Sequence, residues 1–235
     1  MALWTKAGER GVVLLKLARE KKHLEMLRHG LLYMNPLNYF RLSEGDAARG
    51  DNREGDDYIL QPQHARVLID TKVPGIGQIS ATPGDLAGPV RIARDRTRSC
   101  NLFCLFAITS PLEHPTFPPR YCWPGDYFVL FAHTQEFLSR VVSSAQGRGL
   151  QSECGLVEYY DESRYSGQLG RFQKPIRFSY QSEYRIAMEP GSIEAIQLQV
   201  PDLSNITSEV FPLDRADDVL KFNAKELEAA GISWD

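Results

Sequence analysis

The chain predicts an α+β fold, a strand-rich mixed or antiparallel sheet with a few short helices. Three observations carry this. Short apolar and β-branched runs, punctuated by Gly, Pro and Asn, recur from about residue 11 to residue 200. Helix-like stretches occur singly between them, without a regular strand–helix alternation. The strongest run, residues 100–109, is nearly all apolar and reads as a central strand buried on both faces.

The elements follow in order. Residues 11–18 form the first strand. A short helix over residues 20–29 follows, with Leu24 and Leu27 on its apolar face and Glu20 at its start. Arg28 and His29 close it, and Gly30 supplies the left-handed cap. Residues 31–35 return as a strand, and Pro36 starts a helical turn carrying Tyr39, Phe40 and Arg41. A Gly-punctuated loop crowded with Arg, Asp and Glu comes next. Short strands are expected over residues 58–61, 65–70 and 77–81. Five prolines make residues 111–124 irregular. A buried strand over residues 127–132 precedes a helix capped by Thr134 and running to about Gln146. Further strands are expected over residues 150–160, from Tyr184 to Met188, and over residues 193–200, with Pro201 as a stop. A last helix is expected over residues 224–230. With no internal repeat and no long linker, residues 1–235 read as a single domain with its core at about 11–200.

Composition excludes several classes. The 235 residues are 43% hydrophobic and 24% charged, as in soluble globular proteins, and the formal net charge of -3 gives no global field for nucleic acid. The apolar run at residues 12–15 ends at Lys16, too short for a signal-peptide core or a membrane span. Four cysteines are sparse for this length, so the expectation is a reducing, cytoplasmic setting without a disulfide scaffold. No nucleophile elbow, phosphate-binding Gly-Lys-Ser/Thr loop or dinucleotide Gly-x-Gly-x-x-Gly fingerprint is present.

Three groups of residues could carry chemistry. In Tyr180 to Arg185, Glu183 lies beside aromatic rings and two residues from Arg185. That setting suits an acid, a base or a stabiliser of positive charge, and equally an exposed Glu–Arg pair. In the charged loop, Arg41, Arg49 and Arg53 are candidates to clamp phosphates, while Asp46, Asp51, Glu54, Asp56 and Asp57 lack calcium-loop spacing. Cys100 and Cys104 lie on one face of a strand, where packing is expected over zinc.

A resemblance extends this reading. The strand, the short helix ending in Gly30, then Leu32-Tyr33-Met34-Asn35-Pro36 with Arg41 and Glu44, resemble the opening of a widespread bacterial family of unknown function. Phe103-Cys104-Leu105-Phe106, Phe172-Gln173-Lys174 and Tyr180 to Arg185 match its later motifs, over roughly residues 11–190. The layout is similar, more distantly, to the ADP-ribosyltransferase superfamily. That likeness implies NAD as co-substrate, Glu183 as the catalytic Glu, and Gln181 two residues before it. The superfamily's first strand presents a His or Arg, where this chain offers Lys16 or Arg19, and its Ser-Thr-Ser motif is absent. Arg41, Arg49 or Lys174 would hold phosphates, Asn35 belongs to the matched opening, and Tyr33, Tyr39 or Tyr180 would stack on nicotinamide. The implied role is an intracellular toxin or phage-defence effector modifying a protein or nucleic acid, with a cognate antitoxin or chaperone and no membrane. Two other readings stand beside it. One is a non-catalytic nucleic-acid or protein-binding module, from the basic run Arg91, Arg94, Arg96 and Arg98. The other is a metal-dependent nuclease built on the acidic loop, in which cleavage depends on magnesium or manganese and on Asp51.

Overall fold

A computed structural model describes residues 13–42, 53–93, 100–109 and 125–220. In chain order the first strands are β1 (Val13–Ala18), β2 (Leu31–Pro36), β3 (Tyr58–Leu60), β4 (Val67–Asp70) and β5 (Gln78–Ala81). Then come β6 (Val90–Ile92), β7 (Asn101–Ile108), β8 (Tyr127–Phe131), β9 (Gln151–Leu156) and β10 (Glu158–Tyr160). The last are β11 (Gly167–Gln168), β12 (Gln173–Pro175), β13 (Glu183–Glu189), β14 (Ile196–Gln199) and β15 (Phe211–Pro212). The helices are α1 (Lys21–Arg28), α2 (Leu37–Leu42), α3 (Thr134–Gly147) and α4 (Ala216–Val219). Strand-rich α+β is therefore the observed class. The main sheet pairs antiparallel throughout, and β10 with β12 is a parallel pair outside it. No described helix is long and apolar enough to cross a membrane.

The centre is β7, as its sequence predicts. Its odd-numbered residues Phe103, Leu105 and Ala107 join the largest core cluster, while Cys100, just before it, and Leu102 pack on the other face with Leu37 and Ala187. Each buried Leu or Phe is worth about 1.5–3 kcal/mol, and a slip of one residue would move every one of them to the wrong face. One edge of β7 is covered by β13, from Met188 opposite Asn101 to Glu183 opposite Phe106. The other edge is shared. Toward its C-terminal end β1 pairs, Leu15 opposite Phe106 and Val13 opposite Ile108. Toward its N-terminal end β2 pairs, Asn35 opposite Leu102 and Pro36 opposite Asn101. Between them, Phe103, Cys104 and Leu105 carry no strand partner on that edge among the described residues. The sheet forks there.

The β1–α1–β2 unit makes the fork. Leu24 and Leu27 of α1 are buried in the main core with Leu32 and Met34 of β2. Gly30 turns the chain at φ 91°, in the left-handed region. A Cβ at Gly30 would stand 2.2 Å from the Val200 carbonyl oxygen, so both the turn and the close passage of the strand end after β14 demand glycine. β14 then holds β2 away from β1 by pairing along Met34 to Leu31.

Several boundaries differ from those the sequence predicts. Residues 150–160 divide into β9 and β10, because Val157 leaves the β9–β13 ladder and donates its N–H to the Glu183 carbonyl, after which β10 pairs with β12. Thr134 is the first residue of α3 rather than its cap, which is His133. The late strand begins at Glu183, after a 3-10 turn over Ile176–Gln181 that ends at Ser182 with φ 38°. The predicted strand over residues 193–200 shortens to β14, Ile196–Gln199. Residues 111–124 and the tail helix over 224–230 lie outside the described residues. The β4–β5 hairpin pairs outside the main sheet and leaves Leu68 and Ile76 more than half exposed.

Candidate functional site

The fork opens into a cavity of about 710 Å³. That is the size that encloses a small-molecule ligand. Its walls come from the end of β1, from α1, β2 and α2, from the unpaired stretch of β7, and from the 3-10 turn with the first residue of β13. Nine of the eleven residues selected from the sequence line it. Lys16 and Arg19 come from β1 and the turn after it, Tyr33 and Asn35 from β2, and Tyr39 from α2. Lys174, Tyr180, Gln181 and Glu183 come from the late segment. Arg41 does not line it. Its guanidinium turns toward Asp56, 3.4 Å away. Arg49 lies outside the described residues, as do Asp46, Asp51, Arg94, Arg96 and Arg98.

Backbone alternation explains the position of Lys16. Ala107 donates its N–H to the Ser182 carbonyl, toward β13, so the backbone groups of Phe106, Cys104 and Leu102 face the opposite edge. At Cys104 that edge has no strand. Lys16 Nζ fills the place, donating to the Cys104 carbonyl oxygen at 2.6 Å and lying 4.3 Å from the centre of the Phe103 ring. A buried carbonyl that would otherwise lose its partner takes an ammonium instead. Nearer solvent, Tyr33 is 56% and Tyr39 41% exposed, and Tyr39 meets Phe40 edge to face at 5.4 Å.

The floor beneath is ionic. Arg185 is 1% exposed and grips Glu54 with both terminal nitrogens, at 2.7 and 2.8 Å. Its Nε donates to Glu183 Oε1 at 2.8 Å. Lys174 Nζ donates to Glu183 Oε2 at 2.8 Å and to Gln181 Oε1 at 2.7 Å. The Tyr159 hydroxyl accepts the Glu183 backbone N–H at 2.9 Å. Two carboxylates and two cations, each at most 6% exposed, thus cancel in charge. The Glu183–Arg185 pair is not the exposed surface pair that the sequence also allows, because the even spacing of β13 puts both on a covered face.

Burial opposes ionisation of Glu183, but the charges of Arg185 and Lys174 outweigh it and hold the carboxyl well below the usual range. Lys174 is raised: burial works against its charge, and Glu183 more than offsets that. Burial pushes the Cys104 thiol far up, helped by the charge of Glu183, so Cys104 is no nucleophile at neutral pH. Glu183 is consequently an ionised acceptor whose charge is already compensated. It makes a poor general base, and it stabilises a developing cation only where a ligand draws Lys174 away.

Some lining residues escape the sequence reading. Cys104, read from sequence as a packing residue, sits at the fork, and His23 of α1 lines the cavity with Leu27 one turn on. The i, i+4 spacing of His23 and Leu27 could have placed the histidine, itself exposed, on the cavity side of the helix. Glu54, read from sequence as one carboxylate of a charged loop paired with arginine, spends both oxygens on Arg185, and Asp56 faces Arg41 and Arg91. Among the described residues no three His, Cys, Asp or Glu side chains are grouped to hold a metal ion. Comparisons with protein-family models, with curated proteins and with solved structures return no match for this chain.

Proposed function

We propose that the forked-sheet cavity binds a nucleotide-class ligand, a flat ring joined to phosphate, with NAD as the specific candidate. The single observation behind this reading is the convergence of Lys16, Arg19, Tyr33, Tyr39 and Lys174 on one cavity. Tyrosine faces near solvent stack flat rings, and cationic side chains attract phosphate. Within this reading the chain is an ADP-ribosyltransferase-like effector acting on a protein or nucleic acid. A pyrophosphate entering beside Lys174 competes with Glu183 for the ammonium. Glu183, released from one of its two cations, then accepts a ribose hydroxyl and stabilises the positive charge that grows as nicotinamide leaves. Gln181, the other acceptor of Lys174, is repositioned by the same exchange.

A second reading has its own support. Glu183 is fully paired, and a compensated carboxylate suits a binding module that retains its ligand unchanged. Titration calorimetry with NAD, followed by chromatography for released nicotinamide and label transfer in a cell lysate, separates the two. The transferase reading expects binding, release and transfer, with Glu183→Gln retaining binding and losing release. Binding without release by the wild type favours the module. Absence of NAD binding, or binding untouched by Tyr33→Ala, ends the dinucleotide assignment.

A further inference from the structure

The β4–β5 hairpin stands apart from the rest of the fold. Its strands form a two-stranded sheet of their own, with Ile69 opposite Ile79. Such a ribbon is marginally stable by itself in water. This one also exposes apolar side chains: Leu68 at 63%, Ile69 at 49% and Ile79 at 45%, with Val73 and Ile76 at the turn more than half exposed. Among the described residues no strand other than β5 pairs with β4. Proteins block an open strand edge with Pro, Lys or a bulge. β4 has none of these. Its four residues are Val67, Leu68, Ile69 and Asp70, and their register with β5 is unbroken.

One hydrogen bond fixes which groups that edge presents. Thr71 donates its N–H to the Gly77 carbonyl at 2.9 Å, and the register of the hairpin sets these two residues opposite each other. Bonded and non-bonded pairs alternate along an antiparallel ladder. Thr71, Ile69 and Val67 therefore turn their N–H and C=O groups toward β5, while Leu68 and Asp70 turn theirs outward. Any strand docking antiparallel here bonds to Leu68 and Asp70. The segment Arg66-Val67-Leu68-Ile69-Asp70 fits this pattern against itself. When two copies are centred on Leu68, each Leu68 meets its counterpart in a bonded pair. Arg66 of each copy then falls opposite Asp70 of the other, twice by symmetry. Val67 meets Ile69 in the pairs between, where side chains stand closer. A slip of two residues either way breaks both charge pairs, setting Arg66 opposite Lys72 or Leu68. Arg66 and Asp70 are both exposed, and neither forms an ion pair within the described residues.

We propose that β4 is a dimerisation edge, on which a second copy of this chain pairs its own β4 antiparallel about Leu68 and joins the two hairpins into one continuous sheet. The main-chain bonds are open to any strand. The charge order, positive before Leu68 and negative after it, is what selects a second copy. Pairing covers Leu68 with its counterpart and lays Val67 and Ile69 of the two chains side by side. The interface is isologous, so it closes at the dimer. One strand a side buries far less than a standard interface of about 1,600 Å², so the dimer is weak and forms with rising concentration. No residue of β4 or β5 lines the cavity, and the pairing does not depend on what the cavity binds.

Sedimentation velocity on the full chain over a concentration series tests this, with circular dichroism to confirm that each variant is folded. The variants are Leu68→Lys, Arg66→Asp, Asp70→Arg, and the double exchange of Arg66→Asp with Asp70→Arg. All three positions are exposed, so the fold tolerates the changes. Wild type passes from monomer to dimer as concentration rises. Leu68→Lys sets two ammoniums against each other at the symmetry axis. Each single charge variant sets like charges opposite at two places. Each of these three weakens dimerisation by about tenfold or more. The double exchange restores it to near the wild-type strength. Arg66→Asp and Asp70→Arg, each weak alone, associate when mixed, because the carboxylates of one chain then face the guanidiniums of the other. A wild type that stays monomeric throughout overturns the proposal and leaves the edge to a strand of another protein. A dimer that Leu68→Lys or the single charge variants leave at wild-type strength overturns it too. So does a double exchange, or a mixture, no stronger than the single variants.

Discussion

Two charge clusters meet at adjacent residues, Arg53 and Glu54, and they are built in opposite ways. Glu54 turns inward, where Arg185, Glu183 and Lys174 complete a sealed group with equal numbers of cations and anions. Arg53 turns outward to Glu162, which Arg91 and Arg177 also reach, and its side chain is 37% exposed. Charge in a protein interior is tolerated when every group has an opposite partner and its hydrogen bonds are made. Charge at a surface is tolerated in surplus, because water screens it. The inner cluster therefore fixes the late strand to the segment before β3. The outer cluster joins the same segment to the turn between β10 and β11, where water reaches it.

The largest effect follows from removing the centre of the inner cluster. Arg185→Ala leaves Glu54 and Glu183 buried with Lys174 alone to serve both. Breaking a buried ion pair on one side costs about 3–5 kcal/mol. Urea unfolding followed by fluorescence should show the midpoint collapse, or no folded protein at all. A loss below about 1 kcal/mol would mean that water reaches these carboxylates and that the two clusters do not differ in kind.

Acidity separates them next. Glu183 titrates well below its ordinary value of 4.5 in the folded protein, because Arg185 and Lys174 override its burial. The unfolded chain therefore binds that proton first as pH falls. The stabilisation is complete above the ordinary value and drains away as pH drops from there toward the folded value, by up to about 1.4 kcal/mol per pH unit. Thermal unfolding between neutral pH and pH 3 should show this fall in the wild type. In Glu183→Gln the stability is lower at neutral pH and the curve is flatter in acid. An acid slope unchanged by Glu183→Gln would assign the acid sensitivity to other carboxylates.

Parts of this arrangement are legible in the sequence, and the missing parts have a common cause. The β1–α1–β2 opening reads directly, because Gly30, the Leu24 and Leu27 stripe and the short apolar runs are local signals. Glu183 and Arg185 also read as a candidate pair, since they stand two residues apart. Their burial does not read, because the partner that makes it tolerable, Glu54, lies 131 residues away. The fork is invisible for the same reason. It arises from β1 and β2 sharing one edge of β7, which is a matter of long-range register. Arg91 reads as part of a basic run for nucleic acid, yet its partner Glu162 is 71 residues away, and together they belong to a different cluster.

The smallest expected effect sharpens the comparison most. Arg177 reaches the same Glu162 that Arg53 and Arg91 also hold, and its side chain is 43% exposed. Removing it as Arg177→Gln leaves Glu162 with two guanidiniums, still enough to match its charge. Water takes the place of the missing guanidinium. Exposed pairs are worth at most about 1 kcal/mol before screening, so the stability change should fall below that and shrink further in high salt. A loss as large as that of Arg185→Ala would show that the outer cluster is a second structural clasp and that the two clusters do not differ in kind.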